Sequence, residues 1–161
     1  MGDPAFFSAE WAQAVQAALD AGPGEQARAG KLQMYWDFFE LIKSSYRASW
    51  ALGCRDRPAG SAGGPAYLVV GWGGGKVTDC RIAGPGEPLD ATYVLGMDYA
   101  GWAALHDGYD AQRTVMYRRI LLEDGDLLKF FMSIYFFVEC LSVIGSVPAA
   151  YPAMDRRTPS R

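Results

Sequence analysis

The stretch that most limits what this chain can become is 127–144, Leu-Leu-Lys-Phe-Phe-Met-Ser-Ile-Tyr-Phe-Phe-Val-Glu-Cys-Leu-Ser-Val-Ile, in which only Lys129, Ser133, Glu139 and Ser142 are polar. Neither Gly nor Pro interrupts it, so the pattern predicts one helix of about five turns. Asp124-Gly125-Asp126 supplies a turn and a carboxylate for the N-cap, and Gly145 with Pro148 beyond it marks the stop. On a helical wheel Phe130, Phe131, Ile134, Phe136, Phe137 and Val138 point in nearly every direction, so no wet face is visible. Three arrangements accommodate such a helix: a membrane span, a helix buried in the protein, or one that packs on a core by one side and lines an apolar cavity with the other. A span needs about 20 apolar residues, and Lys129 or Glu139 near its centre would each cost about 2.5 to 3.5 kcal/mol, which disfavours it.

The 161 residues, half of them hydrophobic, suffice for one domain with a real core and no disulfide or metal staple. The domain is read as 1–152, and 153–161, with Arg156, Arg157 and Arg161, as a disordered tail. A net charge of -3 without a basic patch argues against nucleic acid as a partner. Cys54, Cys80 and Cys140 are odd in number, far apart and in no Cys-x-x-Cys arrangement, which suggests neither a disulfide framework nor a zinc site. The opening Met-Gly-Asp-Pro-Ala-Phe-Phe-Ser lacks a basic region followed by an apolar core, so a cytoplasmic location is expected.

Along the chain, Phe7, Trp11, Val15 and Leu19 recur every four residues and predict a helix over 8–19, closed by Gly22-Pro23-Gly24. A second helix is expected over 25–43, with Leu32, Tyr35, Trp36, Phe39 and Ile42 on one side. The period then changes to two. Over 46–54, Tyr46, Ala48, Trp50, Leu52 and Cys54 alternate with Arg47, Ser49, Ala51 and Gly53, a strand with one buried face. A loop rich in Pro, Gly and Ser spans 57–65, and strands over 66–72 and 76–83 flank Gly73-Gly74-Gly75. The glycine run is a hairpin turn rather than a phosphate loop, because Lys76 precedes Val77 and opens a strand, not a Ser or Thr opening a helix. A strand over 91–95, a helix over 97–106 capped by Asp98, a short helix over 110–116 and a strand over 119–123 complete the order. This is an α+β fold: a five-stranded, mainly antiparallel sheet with helices packed on one face.

In this order and spacing the chain resembles the sterol carrier protein type 2 family. The resemblance is carried by Gly75-Lys76-Val77, by Ala91-Thr92-Tyr93-Val94-Leu95, by Asp98-Tyr99-Ala100-Gly101-Trp102-Ala103-Ala104-Leu105, by Gly108, Asp110 and Met116, and by the run 119–129. It implies an apolar cavity or tunnel between sheet and helices that holds a lipid. If the strand alternation holds, Trp50, Trp72, Tyr93, Trp102, Phe130, Phe131, Ile134, Tyr135 and Val138 face that space. Leu52, Leu68, Val70, Leu95, Met116 and Ile120 join them as ligand-contacting positions on the arrangement the resemblance implies.

Residues able to do chemistry are few. His106, the only histidine, falls at the end of a short helix, where it serves as a dipole partner or cap. Glu123, Asp124 and Asp126 at a turn entering a helix read as caps rather than a metal site. Glu139 and Ser142 share a side of the final helix, and the simpler reading makes them its strip of water-facing surface; the sharper one has Glu139 contact the polar end of a ligand or act as an acid. No catalytic or metal site and no cofactor is assigned. The expected function is binding, and transfer, of a fatty acyl chain, phospholipid, sterol or polyketide-like molecule, with transient membrane contact and either a monomer or a homodimer left open. The alternatives are an enzyme that cyclises or hydrolyses an apolar substrate in the same cavity, and a module that docks on a partner through the C-terminal aromatic helix.

Overall fold

Ser8 opens the first helix: its hydroxyl accepts the Trp11 N–H at 3.1 Å, and α1 runs over Ala9–Ala21. The structure, a computed structural model, describes residues 2–56 and 65–151, so most of the expected loop over 57–65 and the expected tail over 153–161 lie outside the described residues. After α1 come α2 (Glu25–Ala29), α3 (Gln33–Ser45), β1 (Ser49–Cys54), β2 (Ala66–Gly73), β3 (Lys76–Ala83), β4 (Tyr93–Met97), α4 (Tyr99–His106), α5 (Ala111–Met116), β5 (Leu121–Asp124), α6 (Leu127–Met132) and α7 (Ile134–Ser146).

Two long helices predicted from periodicity are each divided. The first, over 25–43, stops at Gly30, whose N–H bonds the Ala27 carbonyl at 3.2 Å, and restarts at Gln33. Glycine is a poor interior helix residue, and here it ends the turn. The second, over 127–144, breaks at Ser133, which leaves helical backbone angles (φ -119°, ψ 34°). Propensity is even along that run, so packing sets the break: Phe130 meets Tyr93 of β4 edge to face before it, and Phe136 and Phe137 meet Trp50 of β1 after it. Gly145, expected as the stop, lies inside α7 and packs against Leu105 of α4.

The strand order is β3-β2-β1-β4-β5; β1 and β4 run parallel and the other pairs antiparallel. The parallel pair arises because the chain builds the β2–β3 hairpin on one side of β1 and returns with β4 on the other. The hairpin turns on Gly74 and Gly75, with φ of 61° and 81°, the two left-handed positions of a two-residue turn.

Trp50, Leu52 and Cys54, with Leu68, Val70, Trp72, Tyr93, Leu95 and Met97, form the sheet face against the helices. Trp11, Val15 and Leu19 of α1 and Phe136, Phe137, Leu141 and Ile144 of α7 close the same core, and α7 touches α1, α3, α4 and α5. The other sheet face was expected to be open at Ala51 and Gly53, yet both are buried. The Tyr67 ring lies across Gly53, and Leu89, Ala91 and Val94 pack around Ala51, Val69 and Ala83. At the far end of the core the two ends of the described chain are tied together: the Phe6 N–H donates to the Ala150 carbonyl at 2.9 Å, and the Ala150 N–H to the Pro4 carbonyl at 2.8 Å. No helix among the described residues is long and apolar enough to cross a membrane.

Candidate ligand-binding cleft

Apart from Phe137 of α7, the β4–β5 end of the sheet is covered by short elements. β5 has four residues, α5 and α6 six each, and α6 buries only Phe130. Between them lies a cleft of about 540 Å³, within the range of small-molecule sites. Its floor is Leu95, Ile120, Phe130 and Phe137, all buried; Val115, Leu121 and Leu122 form the walls, and Met116, Leu127 and Phe131 form an exposed rim with Arg118.

Each wall follows from local sequence. Asp110 caps α5 by accepting the Gln112 N–H at 3.1 Å, and the buried Thr114 hydroxyl donates to the Asp110 carbonyl at 2.9 Å, which fixes Val115 and Met116 beside β5. Leu122 pairs with Leu95 across the β4–β5 ladder. Gly125 turns the chain from β5 into α6 with φ of 119°, and an added Cβ there would come within 2.8 Å of the Thr92 carbonyl. Asp126 then caps α6 by accepting the Lys129 N–H at 3.1 Å.

Of the residues expected to face a ligand, this cleft gathers Leu95, Met116, Ile120, Phe130 and Phe131. Trp50, Leu52, Leu68, Val70, Trp72, Tyr93, Trp102 and Val138 are packed in the core, each at most 6% exposed. There Trp102 donates its indole N–H to the Gly53 carbonyl at 3.0 Å and Trp50 donates to the Tyr46 hydroxyl at 2.9 Å. Burial pushes the Tyr46 phenol up to about 12, so it stays protonated. Ile134 is half-buried against the core, whereas Tyr135 is exposed beside Phe38 and Met132. The periodicity did not single out Val115, Arg118, Leu121, Leu122, Leu127 and Phe137 as lining residues. For Leu121 and Leu122 the apolar run after Ile120 was the available signal; for Arg118 there was none.

Glu139 departs from the water-facing reading. It is buried and accepts hydrogen bonds from Lys31 Nζ and from the Tyr35 hydroxyl, both at 2.6 Å, and the Lys31 ammonium also lies 4.7 Å from the Tyr35 ring centroid. Burial and then the Glu139 carboxylate raise the Tyr35 pKa, so the phenol remains a donor. The group ties α7 to the start of α3 and lies outside the cleft.

His106 also lies elsewhere. Its ring sits among Phe6, Trp11, Trp102 and Tyr151, with Nδ1 hydrogen-bonded to the Tyr151 hydroxyl, and burial lowers its pKa. Glu123 pairs with Arg55 at 3.2 Å, and no cluster of three or more metal-ligating side chains occurs among the described residues.

No family model matches this chain, and no curated protein matches it by sequence. Solved structures do match in shape. A crystal structure of sterol carrier protein 2 superposes with a TM-score of 0.68 at 19% identity, over 89% of this chain and 99% of that one. The solution structure of a conserved hypothetical protein from Thermus thermophilus, whose description suggests a sterol carrier protein, superposes with a TM-score of 0.67 at 17% identity, over 93% of this chain and 94% of that one. With a five-stranded mixed sheet, helices on one face and a match over nearly the whole length of both structures, this chain has the sterol carrier protein 2 fold.

Proposed function

We propose that this chain binds a hydrophobic small molecule in the cleft between β4, β5, α5 and α6 and carries it between membranes. The observation that carries the reading is the cleft itself: about 540 Å³ with a buried apolar floor and a rim of exposed Met116, Leu127 and Phe131. The fold shared with a protein named as a sterol carrier supports it. We read 1–152 as the binding domain. An alkyl chain is the simplest ligand chemistry that fits. Burying ten methylenes gives about 8 kcal/mol before ordering costs, enough for affinity near micromolar.

Native mass spectrometry of freshly purified protein, with solvent extraction of anything released and titration with a fluorescent fatty acid, tests this. A discrete adduct of a few hundred daltons, or stoichiometric binding of the probe, is expected. Leu122 is half-buried on the cleft wall, so Leu122→Trp fills the cleft and weakens the probe by about tenfold or more. A bare mass together with no probe binding would sink the reading.

A further inference from the structure

We propose that Arg118 selects anionic amphiphiles for the cleft, its guanidinium pairing with the carboxylate or phosphate end of a ligand whose alkyl part lies on the apolar floor. The inference rests on the reading of the cleft as a ligand site. It begins with the backbone. α5 ends in a Schellman turn: the Arg119 N–H donates to the Thr114 carbonyl at 3.0 Å and the Arg118 N–H to the Val115 carbonyl at 3.1 Å, with Tyr117 as the C-cap. The residue after the cap in such a turn is left-handed, the place for glycine, because a Cβ there crowds the following carbonyl. Arg118 occupies it with φ of 60°.

The turn's two hydrogen bonds need the left-handed backbone but not an arginine side chain. Arg118 is exposed and takes part in no ion pair among the described residues. Its neighbour Arg119 is engaged elsewhere, its guanidinium 5.7 Å from the Tyr109 ring centroid. Backbone strain held at a cleft points to function. The position gives that function a chemistry. Of the eleven described residues lining the cleft, ten are apolar and Arg118 is the single charged one, with no carboxylate among them. Beside apolar walls its attraction for an anion is stronger than in open water, and a guanidinium matches the paired oxygens of a carboxylate or phosphate. A neutral lipid would gain the apolar contacts and leave the cation unused.

The test compares hexadecanoate, hexadecyl phosphate and hexadecan-1-ol by calorimetry or probe displacement at low salt, with acetate as a chainless anion, on the full chain and on Arg118→Gln and Arg118→Gly. We expect hexadecanoate or hexadecyl phosphate to bind about tenfold tighter than the alcohol. Both variants should erase that gap by weakening the anions. The ratio of the two anions tells a fatty acid from a phosphate headgroup, and acetate should not compete. Because glycine suits the backbone, Arg118→Gly should melt at or above the wild-type temperature, which separates lost selectivity from lost folding. Equal binding of acid and alcohol, or a preference that survives Arg118→Gln, overturns the proposal and leaves the cleft standing. Failure of all three alkyl compounds to bind overturns the cleft reading and this inference with it.

Discussion

At the residue scale, the two ionisable groups that stood out in the sequence each hold separate parts of the chain together, and their surroundings say why. Glu139 sits in an almost wholly apolar helix, and a carboxylate there is tolerated because Lys31 and Tyr35, more than a hundred residues earlier in the chain, both donate to it. Spacing within the helix could not show this, since both partners come from the N-terminal third. His106 is held neutral by its aromatic cage; burial is the largest influence on it, and the neighbouring carbonyls of Trp102, Ile144 and Val147 oppose burial less strongly. A pH dependence follows with a definite sign. The folded state binds fewer protons than the unfolded chain once the pH falls below the ordinary histidine value of 6.5, so the stability from neutral His106 is complete above that value and is lost as the pH falls through the lowered one. Thermal melts from about pH 8 to about pH 5 should show the wild type losing more than His106→Gln; parallel curves would count against this assignment.

At the element scale, Gly145 shows how one residue can carry opposite meanings. In sequence it reads as a helix stop, but in the fold it is where α7 approaches α4, and a Cβ there would lie 2.7 Å from Leu105 Cγ and 3.2 Å from the Leu105 carbonyl oxygen. Replacing it by alanine gains about 1 kcal/mol of helix propensity and loses about 1–3 kcal/mol by overpacking a buried contact whose backbone cannot give way. Gly145→Ala should therefore be neutral to mildly destabilising and Gly145→Val clearly destabilising, by about 2 kcal/mol or more, read from chemical denaturation. A stabilised Gly145→Val would mean that α4 moves away from α7 easily. Capping signals were legible in part. Asp98 and Asp126, both read from the sequence, accept an N–H from the first turn of the helix they precede, and Ser8 and Asp110, which the sequence reading did not single out as caps, do the same for α1 and α5. The breaks at 30–32 and at Ser133 were less legible, because apolar periodicity continues through both and tertiary partners decide where the axis changes.

At the scale of the whole molecule, the apolar residues left outside the core are grouped. Leu127, Leu128, Phe131 and Met132 of α6 are exposed, and Met132 lies beside Phe38 of α3 at a shallow hollow next to the cleft mouth. On the proposed carrier function, this surface is expected to meet a bilayer, since that would bring the rim of the cleft to the lipid. Co-sedimentation with phosphatidylcholine vesicles should therefore be seen, and Leu128→Glu with Met132→Glu should abolish it without lowering the melting temperature, because both side chains are at least 78% exposed. A stable dimer in sizing that these substitutions dissolve would assign the surface to a second copy instead. The sequence by itself determined the order of strands and helical segments, the hairpin at Gly74 and Gly75, the cap that starts α4 and the buried face of β1, because turn geometry, capping and period-two alternation act between near neighbours. Tertiary structure decided which aromatics fill space and which leave it open. Trp50, Trp72 and Trp102 vanish into the core while Phe130 and Phe131 border a cleft, because that depends on which helix lies above each strand. The sequence run treats them alike, and only packing density tells them apart.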